Sequence, residues 1–333
     1  MTAAVPPSTG RRGRRAADVP SLVAGARDGD ARSVARLISL VEDASPLLRE
    51  VAAALAPHTG RARVLGLTGP PGVGKSTTTT ALVRAFREAG QRVGVLAVDP
   101  SSPFSGGALL GDRVRMQDHA GDGGVYIRSM ASRGHLGGLA WATPQALRVL
   151  DAAGCDVVLV ETVGVGQSEL EVASLADTTL VLLAPGMGDG IQAAKAGILE
   201  VADVFVVNKA DRDGADQTVR DLRSMLSLGG RHSEAGAWRP PIVKTVAARD
   251  TDNGIDEVMD RLGEHAAWLE TSGEGRRRRL ERAAREVEAI AVAGLRERMG
   301  DVRGSTALES LAGQVVDGAT DPYTAADALV AQL

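Results

Sequence analysis

Five short aliphatic runs alternate along the chain with segments patterned for helix: RVLGLTG (63–69), QRVGVLAVD (91–99), CDVVLVET (155–162), TTLVLLAP (178–185) and ADVFVVNKAD (202–211). Continuous apolar runs, rather than alternating ones, are what strands buried on both faces require, and helical crossovers between them make the sheet parallel. Right-handed crossovers then give a doubly wound α/β domain. PIVKTVAARD (241–250) supplies a further strand, and NGIDEVMDRLGEHAAWLE (253–270) a closing helix.

Around this central domain, placed at residues 61–271, the texture is helical. Residues 18–60 carry Val34, Leu37, Ile38 and Val41, then Leu47, Leu48, Val51 and Leu55, at helical spacing, with Asp30 and Ser45-Pro46 as helix starts. Residues 272–333 form a second helical extension, in which Leu280, Ala283, Ala284, Val287, Ile290, Ala291 and Leu295 make an apolar stripe. The arginine run 276–279 reads as a solvated helix face. Residues 1–17 read as a disordered tail, with no apolar stretch to make them a secretory signal.

Composition narrows the function. A net charge of −4 and 2% aromatic residues argue against nucleic-acid binding, which needs basic faces and stacking platforms. No apolar run is long enough to span a membrane. One cysteine, Cys155, fits a reducing, cytoplasmic setting.

Between the first strand and its helix lies G-x-x-x-x-G-K-[ST]. Its loop is Gly69, Pro70, Pro71, Gly72, Val73 and Gly74; Lys75, Ser76 and Thr77 open the helix. Such a loop turns its backbone N–H groups toward phosphates at the positive end of a helix. Lys75 would reach the β- and γ-phosphates and the Ser76 hydroxyl would ligate Mg²⁺. The chain is of the P-loop NTPase fold class. It has 38 basic residues, only four of them lysine: Lys75, Lys195, Lys209 and Lys244. A compact ammonium fits between phosphate oxygens where a planar guanidinium does not.

Asn208, Lys209 and Asp211 form N-K-x-D just past a buried strand. The Asp211 carboxylate would accept from the guanine N1–H and exocyclic amine, which adenine lacks, so the site selects GTP and GDP. A second base contact is expected from Ala247-Ala248, where GTPases usually carry Ser-Ala. Lys244 reads as a strand-surface residue. Glu161 ends its strand three residues before Gly164, the D-x-x-G position with Glu for Asp, so its carboxylate can hold Mg²⁺ through water and Gly164 can face the γ-phosphate. Asp99, at a strand's carboxyl end, and Asp112, in a glycine-rich segment, are the further acids that could complete the metal shell. His119 and His135 lack an accompanying Cys/His cluster and read as ordinary residues. Val165, not glutamine, follows Gly164, which predicts slow intrinsic turnover raised by a partner.

Together TGPPGVGKST, AVDPSSPFSGGALLGDRVRM, ASRGHLGGLA, VETVGVGQSE, APGMGDGIQAAKAGILEVAD and NKAD resemble the methylmalonyl-CoA-mutase-associated GTPase chaperones of the MeaB/ArgK type, relatives of the signal-recognition-particle and metallochaperone GTPases. The resemblance spans residues 18–333. It implies a homodimer, joined through the C-terminal extension, that binds an adenosylcobalamin-dependent acyl-CoA mutase, gates its cofactor loading and protects or reactivates it. It also puts Lys75, Ser76, Asp99, Asp112 and Glu161 on phosphate and Mg²⁺ positions. Gln192 and Lys195 fall on interacting positions of a third switch loop that reports nucleotide state to the mutase. The competing readings are a metallochaperone GTPase, which needs Cys/His motifs near the switches, a protein-targeting GTPase, and a nucleotide-locked scaffold with little hydrolysis.

Overall fold

The computed structural model describes residues 18–43, 45–100, 119, 121–132, 142–162, 168–186, 198–228, 236–299 and 305–331. Two compact units, Met1–Ser272 and Gly273–Leu333, divide the chain.

The first unit opens with α1 (Val19–Arg27), α2 (Ala31–Glu42), α3 (Leu48–Leu55) and a 3-10 turn, Ala56–His58. β1 (Arg63–Thr68) leads to α4 (Lys75–Glu88), then β2 (Val93–Pro100), β3 (Val125–Ser132), α5 (Thr143–Ala152), β4 (Val157–Thr162) and α6 (Ser168–Leu175). β5 (Thr178–Leu183), α7 (Ile198–Val201), β6 (Val204–Val207), α8 (Ala215–Leu228), β7 (Ile242–Lys244) and α9 (Ile255–Thr271) complete it. Seven strands pair in the order β3-β2-β4-β1-β5-β6-β7, every pair parallel. β2 and β3 lie to one side of β1, β4 returns between β2 and β1, and β5 to β7 run outward on the other side, so the carboxyl end of β1 is the switch point where such sheets bind ligands.

Every residue of β4 and of β5 is buried, as continuous apolar strands require. Alternate residues feed opposite cores: Val157 and Leu159 pack toward α4 and α9, Val158 and Val160 toward α5 and the N-terminal helices. Leu37, Ile38, Val51 and Leu55 share that second core, so the N-terminal helices are built into the sheet's flank. Fully burying such a side chain contributes about 1.5–3 kcal/mol. Asp30 caps α2 by accepting from the N–H groups of Arg32 and Ser33 at 3.2 and 3.0 Å. α3 begins two residues beyond Ser45-Pro46, with Ser45 Oγ accepting from Leu47 N–H in the preceding turn.

β3 was not legible as a strand, because VYIRSMAS interleaves polar groups. On this edge strand Arg128 pairs with Glu42 and Ser39 of α2. The turn into β3 is clamped by Arg87, whose Nε and Nη2 meet the two Asp122 oxygens at 2.8 and 2.9 Å. The Arg87 hydrogen bond, with help from Gly124 N–H, holds the Asp122 carboxyl below its ordinary value. A depressed folded-state value means that this clamp's contribution is present above the ordinary carboxylate range and is lost as pH falls through the depressed value. The protection factors of the β3 amides, which correct for the intrinsic slowing of exchange in acid, should therefore fall in acid in the parent, and already at neutral pH in Asp122→Asn.

At the amino edge His265 is fully buried between Trp238 and Trp268, at ring-centroid distances of 4.7 and 5.4 Å. Its Nδ1 meets Thr178 Oγ1 at 2.8 Å and its Nε2 faces Asp203 Oδ1 at 3.3 Å, which ties α9 to the starts of β5 and β6. Lys244 sits on the surface beside Asp216, 3.1 Å away. No helix among the described residues is long and apolar enough to cross a membrane.

The second unit comprises α10 (Glu274–Met299), α11 (Thr306–Val316) and α12 (Pro322–Val330). Within the arginine run, Arg277 pairs with Glu274 and Glu281, and Arg278 with Glu274, along one helix face. The apolar stripe of α10 lies open: Leu280 is 69% exposed, Val287 66% and Leu295 58%.

Candidate nucleotide site

The loop between β1 and α4 is shaped by three left-handed glycines, Gly69, Gly72 and Gly74, at φ +142°, +77° and +97°. At Gly69 a Cβ would stand 2.2 Å from Leu182 O, and at Gly74 2.4 Å from Asn208 Nδ2, so neither position admits a side chain. At Gly72 a Cβ would meet nothing, and the exposed crown of Pro71 and Gly72 opens outward. Gly74 caps α4 without any side-chain hydrogen bond, and the helix's leading N–H groups have no side-chain cap there. That is the arrangement an anion can complete. Lys75, 8% exposed, folds its ammonium back onto the loop, donating to Gly69 O at 2.7 Å and Pro70 O at 3.0 Å.

Glu161 lies across from the helix start, at the end of β4, and is 4% exposed. Ser76 Oγ donates to its Oε1 at 2.7 Å and Thr79 Oγ1 to its Oε2 at 2.9 Å. β2 runs beside β4 with Ala97 opposite Glu161, which brings the backbone of Asp99 to the same carboxyl edge. A buried carboxylate with hydroxyl oxygens is a hard donor set, which fits Mg²⁺ rather than a soft transition metal. Thr77 follows Ser76, half-buried on the same turn.

Asn208, 3% exposed, knots three loops together. Its Nδ2 donates to Val73 O at 2.8 Å, while its Oδ1 accepts from Thr245 Oγ1 and Ala247 N–H, both at 3.1 Å. Lys209, held at φ +58°, donates from its ammonium to Gly72 O at 2.6 Å and so bridges the base loop to the phosphate loop. Asp211 is exposed and faces Arg249 at 3.9 Å. In the pair Ala247-Ala248 the Ala247 amide is taken by Asn208, while Ala248 is exposed.

Sequence reading thus locates Gly69 to Thr77, Glu161, Asn208, Lys209, Asp211 and Ala247-Ala248 at one sheet edge. It misses Thr79 and Thr245. The spacing of Thr79, one helical turn beyond Ser76, was the available signal. Asp112, Gly164, Gln192, Lys195 and His135 lie outside the described residues, as does the Asp99 side chain.

Among the described residues no group of three or more His, Cys, Asp or Glu side chains is placed to hold a metal. Cys155 is 3% exposed, and burial pushes its thiol up to about 12. Thiolate at neutral pH is then about a thousandfold scarcer than at an exposed cysteine. Iodoacetamide should therefore label the native chain far more slowly than the urea-unfolded chain, as mass spectrometry can follow.

Residues 34–302 match the family model described as methylmalonyl Co-A mutase-associated GTPase MeaB. A protein of Pyrococcus abyssi (strain GE5 / Orsay) that carries a provisional GTPase name is 47% identical, over 95% of this chain and 97% of its own. The mouse protein named methylmalonic aciduria type A homolog, mitochondrial, is 39% identical over 77% of this chain and 65% of its own. The crystal structure of an LAO/AO transport system kinase superposes with a TM-score of 0.69 at 28% identity, covering 94% of this chain and 96% of that one. A parallel sheet with a glycine-shaped loop, a buried Ser76–Glu161 pair and the N-K-x-D segment on one edge agrees with the GTPase of the family description and of the Pyrococcus name, and the chain belongs to the family of methylmalonyl-CoA-mutase-associated GTPases, MeaB.

Proposed function

We propose that the chain binds and hydrolyses GTP with Mg²⁺ and serves as a nucleotide-dependent chaperone of an adenosylcobalamin-dependent acyl-CoA mutase. The observation that carries the nucleotide half is the knot at Asn208, which joins the phosphate loop and the base loop through one buried side chain. The partner half rests on the family, whose description names methylmalonyl-CoA mutase.

In this reading Lys75 exchanges the Gly69 and Pro70 carbonyls for the β- and γ-phosphate oxygens, and the N–H groups opening α4 take the remaining charge. Ser76 and Glu161 are the residues here that would hold Mg²⁺, with Asp99 and Asp112 as further acids. When bound, the ion neutralises charge developing on the transferred phosphoryl group. Asp211 reads the guanine edge, the Lys209 stem covers its face, and the Ala248 amide meets its O6. Gly164 senses the γ-phosphate, and Gln192 and Lys195 carry that state to the mutase.

The open stripe of α10 supports a homodimer, since an apolar face of this size is costly to leave in water. Light scattering on the parent and on Val287→Glu should show a dimer and a monomer respectively.

The test of function is the GTPase rate of the chain alone and with each candidate mutase. A low rate alone and a rise with one mutase is the expected result. Supplying a missing catalytic group in trans can reach on the order of 10³-fold. Lys195→Ala should keep GTP affinity and basal hydrolysis while weakening the stimulated rate. No change of rate with any mutase would remove the partner and leave the nucleotide site standing.

A further inference from the structure

α4 presents two hydroxyls to one carboxylate. Ser76 and Thr79 stand three residues apart, hence on one face of the helix. Ser76 Oγ lies 2.7 Å from Glu161 Oε1, and Thr79 Oγ1 2.9 Å from Oε2, so each carboxylate oxygen has a hydroxyl of its own. Glu161 is 4% exposed, Ser76 8% and Thr79 not at all, so water does not compete for these bonds.

Thr79 has one proton and two acceptors, Glu161 Oε2 at 2.9 Å and Lys75 O at 3.1 Å. The Lys75 carbonyl already belongs to the backbone ladder of α4. An ionised carboxylate is the stronger acceptor, and here also the nearer, so the proton points at Glu161.

We propose that Thr79 is a positioning residue for the divalent-ion site. By holding Oε2 it keeps Oε1 turned toward Ser76, which fixes the direction in which the Ser76 oxygen offers its lone pairs. The inference rests on Ser76 and Glu161 being the magnesium pair. Its physical motive is the extra methylene of glutamate. Compared with an aspartate at the same place, Glu161 has one more rotatable bond, and an unanchored carboxylate would lose that freedom only when the ion arrives. Thr79 removes it beforehand, as an outer partner of a metal ligand does elsewhere.

The test titrates fluorescent mant-GDP affinity against Mg²⁺, and in EDTA, for the parent, Thr79→Val, Thr79→Ser and Glu161→Gln. Valine keeps the shape of threonine and deletes the hydroxyl; serine restores the hydroxyl. Thr79→Val should raise the Mg²⁺ midpoint about tenfold, with Thr79→Ser near the parent and affinity in EDTA alike for all three. A purely structural threonine would lower the melting temperature of the metal-free protein without moving that midpoint, and this result overturns the inference. A parental midpoint in Thr79→Val beside a lost Mg²⁺ response in Glu161→Gln overturns Thr79 alone. An unchanged Mg²⁺ response in Glu161→Gln overturns the magnesium pair, and Thr79 with it. Should Thr79→Val not fold, Thr79→Ala carries the same comparison.

Discussion

Replacing Asn208 with alanine is expected to cost about 2–4 kcal/mol of stability and to lower GDP affinity by about two orders of magnitude. The substitution strands three partners at once. Val73 O, Thr245 Oγ1 and Ala247 N–H all lose Asn208, and Val73, Thr245 and Ala247 are themselves buried. Each buried group left unmatched carries its full desolvation penalty, offset in part where water enters the gap. The affinity loss has a separate origin: the phosphate loop is no longer tied to the base loop, so the two must be ordered by the ligand. Asn208→Asp separates the two arms, because it keeps the acceptor for Thr245 and Ala247 but sets an oxygen against Val73 O. Chemical denaturation with and without GDP measures both quantities. If Asn208→Ala matched the parent in both, the knot would carry no weight in this fold.

Replacing Asp211 with alanine should act on selectivity alone. GTP affinity should fall by about two to three orders of magnitude, the worth of two hydrogen bonds to a charged acceptor. ATP affinity should stay where it was. Stability should hardly move, since Asp211 meets Arg249 only at 3.9 Å with both side chains about half exposed, and such pairs contribute about 0–1 kcal/mol. Parallel titrations with mant-GTP and mant-ATP give the ratio, and a ratio equal to the parent's would remove Asp211 from base recognition.

Five of the seven strands were legible because each is built around a continuous apolar run, the signature of burial on both faces, and β7 only from the Ile242-Val243 pair beside an exposed Lys244. β3 was hidden because an edge strand may spend polar residues on neighbours, as Arg128 does on Glu42. The phosphate loop was legible from its glycines because their backbone angles and close approaches admit nothing larger, a constraint written directly into residue type. The roles of Thr79 and Thr245 were not legible. A hydroxyl in a helix, or just past a strand, becomes part of a site only through the partner that tertiary folding brings to it, here Glu161 and Asn208. Nor was it legible that Asn208 takes the Ala247 amide of the pair Ala247-Ala248.

Two of the three tryptophans, Trp238 and Trp268, flank His265 at the amino edge, and the phosphate loop sits at the carboxyl edge. In a Trp141→Phe background the intrinsic emission therefore comes from an optical gauge deaf to contacts made directly by a nucleotide. A change in that glow when GTP replaces GDP would report motion relayed to the amino edge, either along β5 and β6 to Thr178 and Asp203 or through α4 and α9, which share a core.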